Sequence, residues 1–309
     1  MLDAARRSWL KTGLCLCCCP RLAFPAEALR LEEVAPGVLV RRGPDTEAEP
    51  ANRNGIANTG CIIGQEAVLV FDAGGSRADG QWLRERIRER TDRPITHVVM
   101  SHVHPDHCFG VGAFLADRPV ILGHHRLPGA LQARGPYYRR RLVEVLGEAA
   151  VGDLVMPTRT VVRGEEIDLG GRTVRCLAHG VAHTDNDLSL HDSGSGLLFP
   201  SDLLFVGRVP SLDGSLLGWL REIERLRGLG ARQAVPGHGP AVVPFDSAMD
   251  TQVRYLEALR DGTRRAVKEG NDIEAAIATV ARSERGQWTL FDDYHAGNVT
   301  QAYKELEWE

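Results

Sequence analysis

The sequence predicts an α/β fold in which two β-sheets are sandwiched between helices. Short apolar and β-branched runs alternate with amphipathic stretches along residues 38–238, an order that suits such a sandwich. The chain has 309 residues, 43% of them hydrophobic, and is therefore long enough to bury a full core. Residues 246–309 have a helical pattern with several aromatic residues available for packing, so a C-terminal helical extension is expected.

The predicted elements follow one another closely, and we expect residues 29–245 to form one domain. A Pro-, Gly- and Asn-rich loop at 43–58 separates the first two predicted strands. The predicted strands are 38–42, 59–63, 67–72, 96–100, 119–123, 160–163, 173–177, 187–191, 197–199 and 233–235. The predicted helical stretches are 81–90, part of 127–152, 218–230 and most of 246–309.

Three histidines and a carboxylate lie within six residues, in the segment HVHPDH at 102–107. The segment follows the predicted buried strand 96–100, and open α/β sheets usually place chemistry just beyond such a strand. His102 and His104 are two positions apart, so on an extended chain their side chains point the same way before Pro105 ends the strand. Imidazole and carboxylate groups suit a cation such as Zn²⁺, so this segment predicts a metal site.

Residues of the same types recur downstream, at His183, Asp202 and His238. With the four of the first segment they make seven side chains, which is more than one tetrahedral ion can use. Two ions that share an oxygen ligand would use all of them, so a two-metal hydrolase is the first hypothesis. The other histidines are expected to be ordinary surface or core residues: His97, His124, His125, His179, His191 and His295.

Five motifs resemble those of the metallo-β-lactamase superfamily, in the same order along the chain. The segment at 102–107 resembles its His-x-His-x-Asp-His signature. The others are VFDAG at 70–74, GVAHTD at 180–185, FPSD at 199–202 and VPGHG at 235–239. The resemblance implies a metallo-β-lactamase-like αββα sandwich.

The resemblance also implies a role for each candidate residue. The first metal would be bound by His102, His104 and His183, and the second by Asp106, His107 and His238, with Asp202 bridging both. The metals are expected to be two Zn²⁺, with iron or manganese as alternatives. A bridging hydroxide would attack an ester, thiolester or amide-type carbonyl, with Asp106 and Asp202 as catalytic residues. Asp72 is expected either to hold a ligand histidine from behind or to cap a strand end.

Three subgroups of the superfamily compete. Asp202 argues against true β-lactamases, which usually lack an Asp at this position; a lactamase or lactonase activity is kept as an alternative. Glyoxalase II-like thiolesterases do have this Asp. They usually also carry basic glutathione-binding residues, and this chain does not match that pattern. The stretches AHTDND at 182–187 and VPSLDG at 209–214 most resemble the quinoprotein relay system zinc metallohydrolases, exported proteins associated with periplasmic quinoprotein dehydrogenases. An iron-dependent persulfide dioxygenase and a non-catalytic metal-binding accessory protein are alternatives from other classes.

Arg208 is either a partner for a substrate anion or an exposed loop residue, and Asp213 is expected in a turn.

Residues 1–28 are predicted to be an export signal. RRSWLK at 6–11 resembles a twin-arginine motif, an apolar stretch follows at 13–19, and AEA at 26–28 offers a cleavage pattern. An ordinary secretory signal and an uncleaved amphipathic start are the alternatives. Export implies a periplasmic location. No segment approaches the ~18 apolar residues of a transmembrane helix.

The charge of the chain indicates which class of partner it binds, and its cysteine content indicates whether disulfides are expected. The formal net charge is −4 and the longest basic run is RRR at 139–141, so a small-molecule substrate is expected and a nucleic acid is not. Four of the seven cysteines lie within residues 15–19. The remaining Cys61, Cys108 and Cys176 give no disulfide framework, and Cys108 is expected to pack in a helix or to line the site.

Overall fold

The computed structural model describes residues 30–309, so the predicted export signal at 1–28 lies outside the described residues. The strands are β1 (Leu31–Ala35), β2 (Val38–Arg41), β3 (Thr59–Ile63), β4 (Val68–Phe71), β5 (Ile95–Met100), β6 (Val120–His124), β7 (Arg159–Val161), β8 (Gly164–Asp168), β9 (Thr173–Ala178), β10 (Leu188–Asp192), β11 (Leu197–Phe205), β12 (Gln233–His238) and β13 (Val243–Pro244). The helices are α1 (Arg77–Arg88), α2 (Pro105–Cys108), α3 (Leu127–Leu146), α4 (Glu148–Val151), α5 (Leu216–Arg227), α6 (Phe245–Lys268), α7 (Ile273–Thr279) and α8 (Phe291–Leu306).

Two mixed sheets form the centre of the fold. The first has seven strands in the order β1 to β7, antiparallel from β1 to β4 and parallel from β4 to β7. The second has six strands in the order β13-β12-β11-β10-β9-β8, with β11 and β12 parallel and the other pairs antiparallel. The four parallel strands of the first sheet need crossover connections, and α1 and α3 supply two of them.

The core has three layers, which follow from the two-residue period of the strands. In β4 every residue is buried, but Val68 and Val70 face α1 and α3 while Leu69 and Phe71 face the second sheet. Between the sheets, Phe71 packs on Phe199 with ring centroids 4.5 Å apart. The outer face of the second sheet packs against α5, α6 and α8 around Trp219 and Tyr255. The predicted αββα sandwich is therefore confirmed, and its C-terminal helices are present.

The observed bounds differ from the prediction in a few places. Strands β1 and β8 were not expected, because charged residues occupy most of their exposed positions and hide the apolar alternation. Strand β11 continues to Phe205, well past the predicted 197–199, because its polar residues lie in the middle of an otherwise apolar run. Helix α6 begins at Phe245, and its buried face joins the core of the second sheet.

Among residues 30–309, the helices are all too short or too polar to cross a membrane. The three cysteines of this range, Cys61, Cys108 and Cys176, are buried free thiols.

Candidate metal centre

The segment at 102–107 turns sharply from the end of β5 into α2. His104 has extended backbone angles and caps α2, and Pro105 occupies its first turn, where the missing N–H costs nothing. The turn presents His102 and His104 to one side, with 3.1 Å between Nε2 of His102 and Nδ1 of His104. Asp106 and His107 lie on the helical turn itself, and these two residues face a second position nearby.

Three histidine nitrogens converge on the first position. Nε2 of His183, from the loop between β9 and β10, lies 3.3 Å from Nε2 of His102 and 3.0 Å from Nδ1 of His104. A tetrahedral zinc ion with Zn–N bonds of about 2.0–2.1 Å places its nitrogens roughly 3.3 Å apart. The three imidazoles are therefore spaced like the ligands of one ion.

The second position is formed by Asp106, His107 and His238. Oδ2 of Asp106 lies 3.5 Å from Nε2 of His107 and 3.3 Å from Nε2 of His238, which is the last residue of β12. All three side chains are at least 87% buried, since Asp106, the most exposed of them, shows 13% of its side chain. This position therefore offers one carboxylate and two imidazoles.

Asp202 lies between the two positions. Its Oδ2 is 3.7 Å from Nε2 of His102, 3.4 Å from Nε2 of His183 and 3.5 Å from Nε2 of His238. Its Oδ1 is 3.1 Å from Nε2 of His107. One carboxylate thus reaches ligands of both positions, which is the arrangement that a bridging ligand needs.

The backbone around Asp202 is constrained. Ser201, directly before it, has a left-handed φ of +49°, which is uncommon for a residue with a side chain. A Cβ on Gly237 would lie 1.9 Å from Oδ1 of Asp202, so only glycine leaves room for the carboxylate. Strand β12 therefore approaches β11 closely enough to fix the bridging side chain.

Each of the five ligand histidines is held by a hydrogen bond to its other ring nitrogen. A metal-ligating histidine generally has such a partner, which fixes its tautomer and orientation. The pairs are His102 Nδ1 with Ser101 Oγ (2.9 Å), His104 Nε2 with Asp213 Oδ2 (3.0 Å), His107 Nδ1 with Asp72 Oδ2 (2.8 Å), His183 Nδ1 with the Ser211 carbonyl (2.6 Å) and His238 Nδ1 with the Ile56 carbonyl (3.1 Å). The free nitrogens all face the two positions.

Asp72 does more than hold His107. Its Oδ1 accepts a hydrogen bond from the backbone N–H of Ser101 at 2.9 Å, and its Oδ2 also accepts one from the Ser201 hydroxyl at 3.0 Å. The residue follows β4 with a left-handed φ of +46°. Asp72 therefore connects the turn after β5, which carries His102, to β11, which carries Asp202.

The donor set fits cations. Among residues 30–309, Nε2 of His107 and Oδ1 of Asp202 are buried polar atoms with no hydrogen-bond partner, and both face the centre. Burying unpaired polar atoms is costly, and a cation placed between these groups would offset that cost. Imidazole and carboxylate donors without a thiolate are compatible with zinc and also with iron or manganese.

The electrostatics separate the two positions. Burial holds the pKa of His102 well below its usual range and lowers that of His183 to about 3, so both are neutral imidazoles, the form that binds metals. Burial also acts on His107 and His238, but the neighbouring carboxylates of Asp202 and Asp106 together outweigh it, and the pKa of both histidines is raised. Burial is likewise outweighed at Asp202, where His107 and His238 together lower the carboxyl pKa well below its usual range.

Arg208 is buried, with 5% of its surface exposed, so the expectation of an exposed loop arginine is wrong. Its guanidinium donates to the Tyr294 hydroxyl at 2.7 Å and to Glu47 at 3.3 Å, and it lies near enough to His238 for its charge to oppose the rise in that residue's pKa. Tyr294 also lines a cleft of about 340 Å³ between the 211–213 loop and α8, together with Asp213 and Lys304. Arg208 thus contacts one residue that lines this cleft, and its charge acts on one candidate metal ligand.

Sequence reasoning missed the groups that orient the histidines, apart from Asp72. Ser211 and Ile56 act through backbone carbonyls, which leave no signal in the sequence. Asp213, expected only in a turn, accepts from His104 and is also paired with Arg134 of α3. Cys108 packs in the core of the first sheet, and its thiol donates to the Val103 carbonyl. The histidines outside the motifs belong to neither ligand group.

Comparisons with known proteins agree with this geometry. The family model of the metallo-beta-lactamase superfamily matches residues 52–238, more than half of the chain. A linear primary-alkylsulfatase from Pseudomonas sp. is 28% identical over 137 residues, which are 44% of this chain and 22% of the alkylsulfatase. The matched segment thus spans about a fifth of that relative's length.

Solved structures resemble the fold. A metallo-beta-lactamase from Pontibacter korlensis has a TM-score of 0.60 and 18% identity, and the match covers 74% of this chain and 99% of that one. The DIM-1 metallo-beta-lactamase, solved after exposure to ceftazidime, has a TM-score of 0.59 and 16% identity, covering 74% of this chain and 96% of that one. Together with the ligand geometry and the family match, these findings show that the chain belongs to the metallo-beta-lactamase superfamily.

Proposed function

We propose that this protein is a binuclear zinc hydrolase. The proposal depends above all on one observation: seven donor atoms converge in two groups that share Asp202, and every histidine among them is held by a partner on its other nitrogen. Structural zinc sites are mostly closed and rich in cysteine, whereas this donor set has no thiolate. The superfamily's hydrolases support the same reading.

The chain's own residues would divide the work as follows. His102, His104 and His183 hold one cation, Asp106, His107 and His238 hold the other, and Asp202 contacts both. When bound, two such cations would lower the pKa of a water molecule and polarise the carbonyl oxygen of the group that is cleaved. Asp106 is ionised, because His107 and His238 together outweigh burial and lower its carboxyl pKa, and 13% of its side chain remains exposed. It can therefore accept a hydrogen bond from the attacking water and orient it.

The proposed substrates carry an ester, thiolester or amide-type carbonyl. Arg208 and its hydrogen-bond partner Tyr294, which lines the 340 Å³ cleft, are the proposed contacts for an anionic group of the substrate. The Arg208 side chain would have to exchange its contact with Glu47 for that anion, since its guanidinium is otherwise enclosed. A glyoxalase II-like thiolesterase and a lactamase or lactonase fall within the same chemistry.

Export and a link to quinoprotein dehydrogenases are part of the proposal. They are supported by the twin-arginine-like segment at 6–11 and by the stretches at 182–187 and 209–214, whose sequences resemble the quinoprotein relay system metallohydrolases. Export directed by this leader would give the protein a periplasmic location, whether or not the leader is then cleaved. Fractionation of cells that express the full chain, with and without Arg6→Lys and Arg7→Lys, tests the export route.

Sulfate ester hydrolysis is the second candidate. The similarity to a linear primary-alkylsulfatase favours it, although the matched segment is only 22% of that relative. A screen should therefore include a linear primary alkyl sulfate beside a thiolester, a lactone and a β-lactam. Release of sulfate without hydrolysis of any carbonyl substrate would favour this candidate over the first.

Metal analysis combined with substitution tests the hydrolase proposal. Purified without added metal, the protein should contain about two zinc ions per chain. His183→Ala combined with His238→Ala should remove hydrolysis, whereas His125→Ala, at an exposed histidine outside both ligand groups, should leave it unchanged. Unchanged activity in the double variant would refute the proposal. About one iron ion per chain, together with persulfide oxidation, would indicate the dioxygenase class instead. Two zinc ions per chain without hydrolysis of any substrate would indicate an accessory protein.

A further inference from the structure

The loop between β11 and α5 orients two of the three histidines of the first position. The Ser211 carbonyl accepts a hydrogen bond from Nδ1 of His183 at 2.6 Å, and the Asp213 carboxylate is bonded to Nε2 of His104 at 3.0 Å. The backbone N–H of Asp213 also donates to the His183 carbonyl at 3.0 Å. The orientation of both ligands therefore depends on where this loop lies.

The loop has no regular structure of its own. Residues 209–215 belong to no strand or helix, so their backbone polar groups need partners elsewhere. Side chains of α8, in the C-terminal extension, bind three of these backbone groups and also the Ser215 hydroxyl. The contacts are Asn298 with the Pro210 carbonyl (2.6 Å) and the Leu212 N–H (2.8 Å), Gln301 with the Gly214 carbonyl (2.8 Å), and Glu305 with the Ser215 hydroxyl (2.5 Å).

Asn298 is the central contact. It is 2% exposed, and its amide binds the loop on both sides of Ser211, donating to Pro210 and accepting from Leu212. Its amide nitrogen also contacts the Tyr255 hydroxyl at 2.8 Å, which anchors it to α6. The residue that presents its carbonyl to His183 is thus bracketed by two hydrogen bonds from one side chain.

We propose that helix α8 sets the geometry of the three-histidine position by holding the 209–215 loop, with Asn298 as the main positioning residue. The inference rests on the proposed metal centre, since it concerns how tightly one of its two positions binds a cation. Asp213 transmits the constraint to His104, and Arg134 of α3 fixes the same carboxylate from the opposite side. The motif VPSLDG at 209–214 thereby acquires a role beyond a turn.

The two positions must be measured separately. His238→Ala leaves the three histidines with Asp202 as one site, and His104→Ala leaves the second position as one site. Asn298→Leu is introduced into each background, and the zinc affinity is measured by competition with a chelator. Groups that orient a metal ligand typically contribute about 10- to 100-fold in affinity, so that is the expected fall in the first background. In the second background the affinity should stay within about threefold of its parent.

Two further variants separate positioning from stability. Val299→Ala removes packing at a fully buried neighbour of Asn298 and makes no change in the loop's hydrogen bonds, so it should lower stability but not zinc affinity. Gln301→Ala removes one contact from the partly buried rim of α8, and should lower affinity in the first background about fivefold even where Asn298→Leu fails to fold.

The outcomes are distinct. Equal affinities for Asn298→Leu, Gln301→Ala and their parent in the three-histidine background would overturn this inference and leave the proposed function intact. A similar loss from Val299→Ala would also overturn it, because stability alone would then explain the effect. A wild-type chain that binds no zinc would overturn the proposed function and this inference with it.

Discussion

Replacing Asp72 by asparagine should weaken metal binding without changing the shape of the site. Three donors approach the two carboxylate oxygens: the Ser101 N–H on Oδ1, and Nδ1 of His107 with the Ser201 hydroxyl on Oδ2. An amide has only one oxygen, so its nitrogen must face one of these groups. Asparagine tolerates the left-handed backbone of this position, where φ is +46°, so backbone strain adds little to the effect.

Either orientation of the amide is unfavourable. With the nitrogen at the Oδ1 position it faces the Ser101 N–H, and a buried donor left without an acceptor costs about 1–3 kcal/mol. With the nitrogen at the Oδ2 position it donates to Nδ1 of His107, which moves the imidazole proton to Nε2, the atom that faces the second position. Loss of such a partner typically weakens metal binding about 10- to 100-fold, which corresponds to roughly 1.4–2.7 kcal/mol.

Chelator competition measures this effect directly. Asp192→Asn is the matched control, because it makes the same chemical change at a buried aspartate that pairs with Arg172 and belongs to neither ligand group. The control should bind zinc as the wild type does. Zinc affinity of Asp72→Asn within about threefold of the wild type would refute the view that this carboxylate fixes the tautomer of His107.

Three other predictions concern the bridge, the cations and acid stability. Gly237→Ala places a Cβ 1.9 Å from Oδ1 of Asp202 and should displace this carboxylate. Elemental analysis of the variant should therefore find less than one zinc ion per chain. A zinc content equal to that of the wild type would contradict the close contact between Gly237 and Asp202. Chelation should lower the melting temperature, because zinc at 100 times its Kd adds about 2.7 kcal/mol to the free energy of unfolding, and an unchanged melting temperature would exclude binding to the native state. At Asp192 burial is outweighed by the Arg172 guanidinium and the hydrogen bonds from Ser195, which together lower the carboxyl pKa. The ionised carboxylate therefore stabilises the fold above the unfolded pKa of about 3.9, and this stabilisation is lost as the pH falls through the lower folded value. The difference in urea stability between wild type and Asp192→Asn should therefore shrink between pH 7 and pH 3, and a constant difference would contradict it.

The sequence was informative where chemistry is local. The His-x-His spacing, the proline after it and the strand before it predict a ligand-bearing turn, and the structure brings His102 and His104 to within 3.1 Å of each other at the nitrogens. The αββα fold could be predicted because buried strands of alternating pattern and amphipathic helices follow in a regular order. Strands β1 and β8 could not, since charged residues at their exposed positions interrupt the apolar alternation.

The residues that orient the ligands could not be predicted from the sequence in the same way. Ile56 and His238 are 182 positions apart, and the contact between them uses a backbone carbonyl that any residue would supply. The burial of Arg208 could not be predicted either, because its contacts are also distant in sequence. Its sequence context suggests a loop at the surface, but Glu47 and Tyr294 come from distant parts of the chain and enclose it.

The partners of the five histidines come from four parts of the chain: the end of β4, the end of β5, the 43–58 loop and the 209–215 loop, which supplies two of them. No single element therefore determines the metal centre, and the ligands are oriented by several different parts of the packed fold. Preorganisation of this kind reduces what the ligands must rearrange when a cation binds. It also means that substitutions far from the ligands, such as those in α8, can alter one position and spare the other, because the second position takes its partners from Asp72 and Ile56 rather than from the 209–215 loop.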